Sequence, residues 1–131
     1  MTAPDRRPLV LIVDDSAHVT GPLRILFEET GRRVAIAHSV VAAVRACEVE
    51  RPDLMLLDIT LPDGDGLSVL ELLSGRPELP VVTVALTGHD DRLTVQRCRA
   101  AGCREVLLKP VPVRDLLRRA AEWLPGAVAG A

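Results

Sequence analysis

The chain has 131 residues, 48% of them hydrophobic, which is enough for a single domain with a buried core. Its formal net charge of −2 does not indicate binding to nucleic acid, and no apolar stretch approaches the ~20 residues of a membrane span. Residues 1–8 are polar and lack the apolar segment of a signal peptide, so we expect a cytoplasmic protein with neither nucleic-acid nor membrane partners.

Apolar stretches typical of buried strands alternate along the chain with segments of helical period. This alternation predicts βαβ units, a parallel sheet and an α/β fold, with no internal repeat, linker or second domain. The predicted strands cover residues 9–13, 34–37, 54–58, 81–86 and 106–108.

The segments between these strands are predicted to be helices, with one loop. In the first helix Gly21 and Pro22 interrupt the pattern, so we expect the regular helix to begin late, near Thr20. Residues 59–66 contain one proline and two glycines and are predicted to form a loop. Residues 88–91 are predicted to form a turn with the N-cap of the fourth helix. The last helix has an apolar stripe made of Val113, Leu116, Leu117, Ala120 and Leu124.

Three cysteines, Cys47, Cys98 and Cys103, cannot all pair with one another and lack the spacing of metal ligands. We therefore expect buried or half-buried thiols in a reducing compartment. Redox sensing by the last two of them is the alternative.

Charged or hydroxyl side chains stand at the ends of four predicted strands. Asp14 and Asp15 follow the first strand, and Asp58 closes the third. Thr87 follows the fourth strand, and Lys109 follows the fifth. Because right-handed crossovers bring the carboxyl ends of parallel strands to one edge of the sheet, where ligands bind, we expect these side chains to meet.

The chemistry of this set points to phosphate. Three close carboxylates repel one another, and a divalent cation removes that conflict. Mg²⁺ prefers such oxygen ligands, whereas no cluster of histidines and cysteines favours zinc. Together the metal and the Lys109 amine can hold a further anion, to which Thr87 can donate a hydrogen bond. Each residue alone has an ordinary structural explanation, such as a helix cap or a solvated turn, but the combination predicts a magnesium-dependent phosphoryl acceptor.

Four motifs carry a family resemblance: Val-Asp-Asp at 13–15, Leu-Leu-Asp-Ile-Thr-Leu-Pro-Asp-Gly-Asp-Gly at 56–66, Leu-Thr-Gly at 86–88, and Ala-Ala-Gly-Cys-Arg-Glu-Val-Leu-Leu-Lys-Pro at 100–110. With them the chain resembles a receiver domain of bacterial two-component signalling, of the stand-alone, chemotaxis-regulator-like kind. The resemblance implies a doubly wound, flavodoxin-like three-layer sandwich whose five-stranded parallel sheet has the order 2-1-3-4-5. The receiver domain would cover residues 8–124, between a disordered or frayed segment 1–7 and a tail 125–131.

The resemblance also implies roles for the acidic residues. Asp58 would accept a phosphoryl group from the phosphohistidine of a histidine kinase or a phosphotransfer protein. Asp15 would bind Mg²⁺ directly and Asp14 through water, and Asp58 and the backbone carbonyl of Thr60 would complete the metal site.

Lys109 would bind the phosphoryl group and form a cis peptide with Pro110, while Thr87 would move towards the phosphoryl oxygens. Three residues before the lysine, where the family often has an aromatic residue, this chain has Val106. Aromatic switching in its usual form therefore cannot operate here. His89 and Thr60 flank the path of the attacking water, and we hypothesise that they set the rate of dephosphorylation.

Two other functions compete with this prediction. Phosphatases of the haloacid-dehalogenase type need a second acid two positions after their nucleophile, and Thr60 stands there, so we expect no turnover of external substrates. The second alternative is a phosphorylation-independent interaction module. We expect the output to be binding of a downstream protein through the fourth helix, fifth strand and fifth helix. Surface or rim candidates are Leu116, Arg118, Arg119 and Trp123, with capping of the core as the alternative for Trp123.

Overall fold

The structure is a computed structural model that describes residues 5–89 and 91–124; residues 1–4, Asp90 of the predicted turn and the predicted tail 125–131 lie outside these ranges. None of the helices in the described part of the chain is long and apolar enough to cross a membrane. In chain order the elements are β1 (Leu9–Val13), α1 (Ala17–Glu29), β2 (Arg33–Ala37), α2 (Val40–Val49), β3 (Leu54–Asp58), β4 (Thr60–Leu61), β5 (Gly64–Asp65), α3 (Ser68–Leu73), β6 (Val82–Thr87), α4 (Arg92–Ala100), β7 (Glu105–Leu108) and α5 (Val113–Trp123).

Five of the strands form one parallel sheet in the order β2-β1-β3-β6-β7. Counting only these five, the order is the predicted 2-1-3-4-5, and the doubly wound, flavodoxin-like fold is confirmed. Every residue of β1, β3 and β6 is buried, because helices cover both faces of the sheet. The register pairs Asp58 with Leu86, and Thr87 with Leu108, so the carboxyl ends of these strands lie side by side.

Two apolar clusters pack on the two faces of the sheet. One contains buried residues of α2, α3 and α4, such as Cys47, Leu73 and Cys98. The other contains buried residues of α1 and α5, such as Phe27 and Leu116. All three cysteines are free and buried, as the sequence predicts.

Helix α1 differs from the prediction, because it begins at Ala17 rather than near Thr20 and carries Pro22 inside. Proline removes one intrahelical hydrogen bond, but Thr20, Leu23 and Phe27 bury the same face of the helix against the sheet. Tertiary burial therefore offsets the local cost that the sequence alone indicates.

The predicted loop 59–66 contains a small antiparallel hairpin made of β4 and β5, in which Thr60 pairs with Asp65. After it the chain returns to the end of β3, where the Gly66 amide donates to the Ile59 carbonyl at 2.8 Å. A Cβ atom on Gly66 would lie 2.0 Å from the Asp58 carbonyl oxygen, so only glycine permits this approach. The chain after Asp58 is thereby folded back onto the strand that carries it.

Helix α5 corrects the surface prediction for Leu116, which is only 1% exposed, and favours the core alternative for Trp123, which is 3% exposed. The indole of Trp123 lies in the core and donates to the Glu105 carboxylate at 3.2 Å. Val113, assigned to the apolar stripe, is 45% exposed. Arg119 forms an ion pair with the same Glu105, so α5 is fastened to β7 by polar contacts as well as by burial.

Candidate functional site

Four of the five side chains predicted to meet at the carboxyl edge of the sheet come together there. Asp14, Asp15 and Asp58 each offer a carboxylate oxygen, and these oxygens lie within 4.8 Å of one another. The Lys109 ammonium lies 2.6 Å from Asp14 Oδ2 and 3.1 Å from Asp58 Oδ2. The fold therefore collects three acids and one amine from β1, β3 and β7.

Asp58 is 7% exposed, since it is the last residue of the central strand. Its Oδ1 accepts a hydrogen bond from the Thr60 amide at 3.0 Å. Burial raises the pKa of the Asp58 carboxyl, and the charge of Asp14 adds to this effect, while the hydrogen bonds from Thr60 and Lys109 oppose it. A cation next to this group would favour its charged form.

Lys109 bridges two of the acids from the end of β7. Burial lowers the pKa of its amine, but the hydrogen bonds to Asp14 and Asp58 outweigh burial, so the pKa is raised and the amine is charged. Its backbone amide donates to the Thr87 carbonyl at 2.7 Å, which fixes the chain at the strand end. The Lys109–Pro110 peptide is cis, as the resemblance implies.

Asp14 and Asp15 differ in exposure. Asp14 is 1% exposed, and its Oδ1 accepts from the Ser16 amide at 2.9 Å, whereas Asp15 is open to solvent. Sequence reasoning overlooked His38, whose Nδ1 lies 2.9 Å from the Asp14 carbonyl oxygen. Its position directly after β2 places it at the same sheet edge, and that position is the signal that could have revealed it.

Thr87, at the end of β6, is 1% exposed. Its hydroxyl donates to the His89 carbonyl at 3.1 Å and accepts from the His89 amide at 3.0 Å. Both hydrogen bonds tie the hydroxyl to the loop that leads into α4. The side chain of His89 is exposed, as is that of Thr60.

The hairpin beside Asp58 is anchored by two carboxylates that sequence reasoning did not select. Asp63, at the hairpin turn, accepts from the amides of Val40 and Val41 at 2.8 and 3.1 Å. Asp65 accepts from the Leu67 amide at 2.9 Å and forms an ion pair with Arg97 of α4. The hairpin is thus attached to α2, α3 and α4.

An apolar cleft of about 450 Å³ opens beside Lys109 on the face covered by α1 and α5. Lys109 belongs both to the acidic cluster and to the wall of this cleft. A molecule that approaches Asp58 from this side would therefore meet apolar surface next to charge. The cleft is lined by His18, Val19, Pro22, Leu23, Leu86, Lys109, Pro110, Val111, Val113 and Leu116.

Comparison with known proteins agrees with this geometry. The family model described as the response regulator receiver domain matches residues 10–121. A protein-glutamate methylesterase/protein-glutamine glutaminase of Cereibacter sphaeroides is 35% identical over 121 residues, which are 91% of this chain but 32% of that protein. The chain thus spans about a third of the length of this relative and matches only part of it.

Two solved structures show the same fold. The CheY-like receiver domain protein from Methanospirillum hungatei JF-1 has a TM-score of 0.83 and 29% identity, over 95% of this chain and 99% of that one. The receiver domain of the sensor histidine kinase PA1611 from Pseudomonas aeruginosa PAO1 has a TM-score of 0.79 and 27% identity, over 89% and 97% of the two chains. That structure has a magnesium ion coordinated in its active site cleft.

Proposed function

Since this chain belongs to the family of response regulator receiver domains, we propose that Asp58 is the phosphoacceptor of a two-component phosphorelay. The phosphoryl group would come from the phosphohistidine of a histidine kinase or of a phosphotransfer protein. The observation that carries the proposal is the Lys109 ammonium, which lies within 3.1 Å of a carboxylate oxygen of both Asp58 and Asp14.

In the transfer, a carboxylate oxygen of Asp58 attacks the phosphorus atom. The bond from phosphorus to the donor's imidazole nitrogen breaks, its electron pair stays on that nitrogen, and an acyl phosphate forms on Asp58. Lys109 can move its contact from the Asp58 carboxylate to a phosphoryl oxygen while it keeps the hydrogen bond to Asp14. Negative charge that spreads over the phosphoryl oxygens is thus met by a fixed ammonium group.

The acids fit a magnesium ion. Asp14, Asp15 and Asp58 supply oxygen atoms close enough to share one cation, and hard oxygen ligands are those that Mg²⁺ prefers. The backbone carbonyl of Thr60 is a further ligand in our proposal. When bound, Mg²⁺ supplies charge neutralisation for the phosphoryl oxygens. The magnesium ion in the PA1611 receiver domain supports this assignment.

Thr87 is the proposed switch. To donate to a phosphoryl oxygen, its hydroxyl must release the His89 carbonyl, so phosphorylation would reshape the loop that leads into α4. Val106, three residues before Lys109, is partly buried against the cluster under α2 and α4 and carries no aromatic ring to reorient. We therefore propose that the Thr87–His89 hydrogen bonds carry the change towards α4.

The proposed output is the binding of a downstream protein in the cytoplasm, on the surface formed by α4, β7 and α5. The apolar cleft beside Lys109, between α1 and α5, supports docking of the phosphodonor. No external substrate would be turned over, because Thr60 stands where a phosphatase of the haloacid-dehalogenase type needs its second acid.

The test is phosphorylation with a small acyl phosphate in the presence of Mg²⁺, followed by the band shift that a phosphoprotein shows in a phosphate-binding gel. We expect the parent protein to shift and the Asp58→Asn variant to remain unshifted, because an amide is not a nucleophile for this reaction. Chelation of Mg²⁺ with EDTA should abolish the shift of the parent.

The control is Asp115→Asn, which makes the same substitution at an exposed carboxylate of α5 that is not part of the acidic cluster. It should shift like the parent. Uptake of label by Asp58→Asn would contradict the assignment of the acceptor. A parent that never shifts would favour the phosphorylation-independent interaction module, and steady release of nitrophenol from p-nitrophenyl phosphate would favour a phosphatase.

A further inference from the structure

The hairpin β4–β5 must hold Thr60 in place, yet each of its strands has only two residues. Isolated hairpins are marginal in water even when they are longer, so the position of this one depends on its attachments. Thr60 matters because its amide donates to Asp58 Oδ1 at 3.0 Å and its carbonyl is the proposed metal ligand. What anchors the hairpin therefore bears on the metal site.

One attachment lies at the hairpin turn. The Asp63 carboxylate reaches across 23 residues of sequence and accepts from the Val40 amide at 2.8 Å, and it also accepts from the Val41 amide at 3.1 Å. These are the first two amides of α2, which lack partners within the helix, and the negative charge stands where the helix dipole favours an anion. The Ser39 hydroxyl accepts from the next amide, that of Ala42, at 3.1 Å.

The same contact closes a ring around the acids. From Asp58 the chain runs through the hairpin to Asp63, which holds the start of α2 at Val40. Two residues earlier, His38 contacts the Asp14 carbonyl at 2.9 Å. Asp14 and Asp58 are joined in turn by Lys109. Each member of this ring limits the position of its neighbours.

We propose that Asp63 is a positioning residue for the divalent-cation site, which it serves by fastening the hairpin that carries Thr60 to the N-terminus of α2. The inference rests on the proposed function and adds to it a residue that contacts neither the phosphoryl group nor the metal. Asp63 acts through Thr60, which places the metal ligands at the separation that the cation requires. Partners that orient ligands in this way change metal affinity without touching the ion.

The experiment is a titration of the full chain with MgCl₂, followed through the backbone amide signals of residues 58–61 and 63–66 by NMR. We expect Asp63→Ala to raise the dissociation constant for Mg²⁺ on the order of tenfold. Asp63→Asn should lie between this variant and the parent, because an amide keeps one acceptor oxygen but no charge. Amide hydrogen exchange of Thr60 and Asp65 should accelerate in the same order, with or without the ion.

The matched control is Ser39→Ala, which removes another N-cap hydrogen bond from the same helix and leaves the hairpin attached. It should bind Mg²⁺ like the parent. Should Asp63→Ala bind the ion as tightly as the parent, the inference is wrong. An equal weakening by Ser39→Ala would also overturn it, because the effect would then come from fraying of α2.

The outcomes also separate this inference from the proposed function. A parent protein that binds no Mg²⁺ and takes up no phosphoryl group would overturn the proposed function and this inference with it. In the other case, the parent binds Mg²⁺ and takes up the phosphoryl group, and the Asp63 variants match it in metal affinity and amide exchange. That result would overturn only the positioning role of Asp63. Should Asp63→Ala fail to fold, Asp63→Asn carries the same test.

Discussion

Helices α2 and α4 both pack on the same face of the sheet next to the site, but they are held very differently. Helix α2 has ten residues, buries Val40, Ala43 and Cys47, and is capped by Ser39 and Asp63. Helix α4 has nine residues, all within the described part of the chain, and only Cys98 is buried.

This difference in burial predicts which side of the site opens locally at the lower free energy. An element with few buried apolar contacts opens at low free energy, whereas one that is buried along its length opens only with the whole domain. The Thr87 hydroxyl is bonded to the loop before α4, the weakly packed helix. Asp58 is bonded to the hairpin that α2 anchors. We therefore expect the hairpin on the α2 side of the site to stay in place and the loop on the α4 side to move more easily.

The largest expected effect is on stability, and two glycine substitutions, one in the hairpin and one in the loop before α4, compare the two sides of the site. In Gly66→Ala the new Cβ would meet backbone atoms of Asp58 and Ile59, so the hairpin must shift, and we expect a loss of about 3 kcal/mol in the free energy of unfolding. In Gly88→Ala, in the loop towards α4, the Cβ would meet nothing within 4 Å, so little change is expected. Urea unfolding of both variants measures this, and equal stabilities would refute the contrast.

The thiols give a second test without mutation. Burial raises the pKa of Cys47 to about 11 and that of Cys103 to about 12, and it also raises the pKa of Cys98, so all three should react slowly with a disulfide reagent at neutral pH. Opening of α4 exposes Cys98, whereas Cys47 needs the opening of α2. We expect Cys98 to react on the order of tenfold faster, which corresponds to about 1.4 kcal/mol in opening free energy.

Mass spectrometry of the labelled peptides, sampled over time, assigns the rate to each cysteine. Faster labelling of Cys47 than of Cys98 would reverse the proposed order of local stability. Addition of denaturant should bring the two rates together, since global unfolding exposes both thiols.

The N-caps of the two helices provide a smaller effect. Ser39→Ala removes the hydrogen bond to the Ala42 amide and should lower the free energy of unfolding by about 1 kcal/mol, because α2 is part of the core. Asp91→Ala removes the hydrogen bonds that Thr94 donates to Asp91. Its main effect should be faster amide exchange in the first turn of α4, with a smaller loss of global stability. An Asp91→Ala variant that loses more global stability than Ser39→Ala would show that α4 is better anchored than its burial indicates.

The smallest effect is a pH dependence of the two carboxylates, Asp63 and Asp91, that cap α2 and α4. Hydrogen bonds from backbone amides hold the pKa of Asp63 and of Asp91 below the ordinary value of 3.8. Such groups stabilise the fold above that value, and the contribution is lost as the pH falls through their lower folded pKa values. Carboxyl NMR titration should place both midpoints below 3.8. A midpoint at or above that value would mean that the cap is not formed.

The site was predictable from the sequence because its chemistry lies at the ends of strands. Buried parallel strands are nearly continuous in apolar residues, so a charged residue that closes an apolar run marks the strand end, as at Asp58. The topology rule for parallel sheets then predicts that these ends meet. Asp14 and Lys109 were found in the same way, although 95 residues separate them.

Other features were not predictable, because local pattern carries no information about them. Proline in the second turn of α1 is unfavourable locally, and only the burial of Leu23 and Phe27 in the tertiary structure decides that the helix includes it. Likewise the hydrophobic stripe of α5 could not show that Val113 faces solvent.

The sequence by itself determined the fold class and the four side chains that meet at the sheet edge, since burial demands apolar runs and parallel strands share one edge. The strand order followed from the family resemblance of its motifs. Only the tertiary structure decided how that site is supported. Asp63 looks like an ordinary turn residue in the sequence, and its contact with α2 exists because folding brings a helix N-terminus to a hairpin 23 residues away. Hydrogen bonds between distant backbone and side-chain groups depend on angles and distances that no residue pattern encodes.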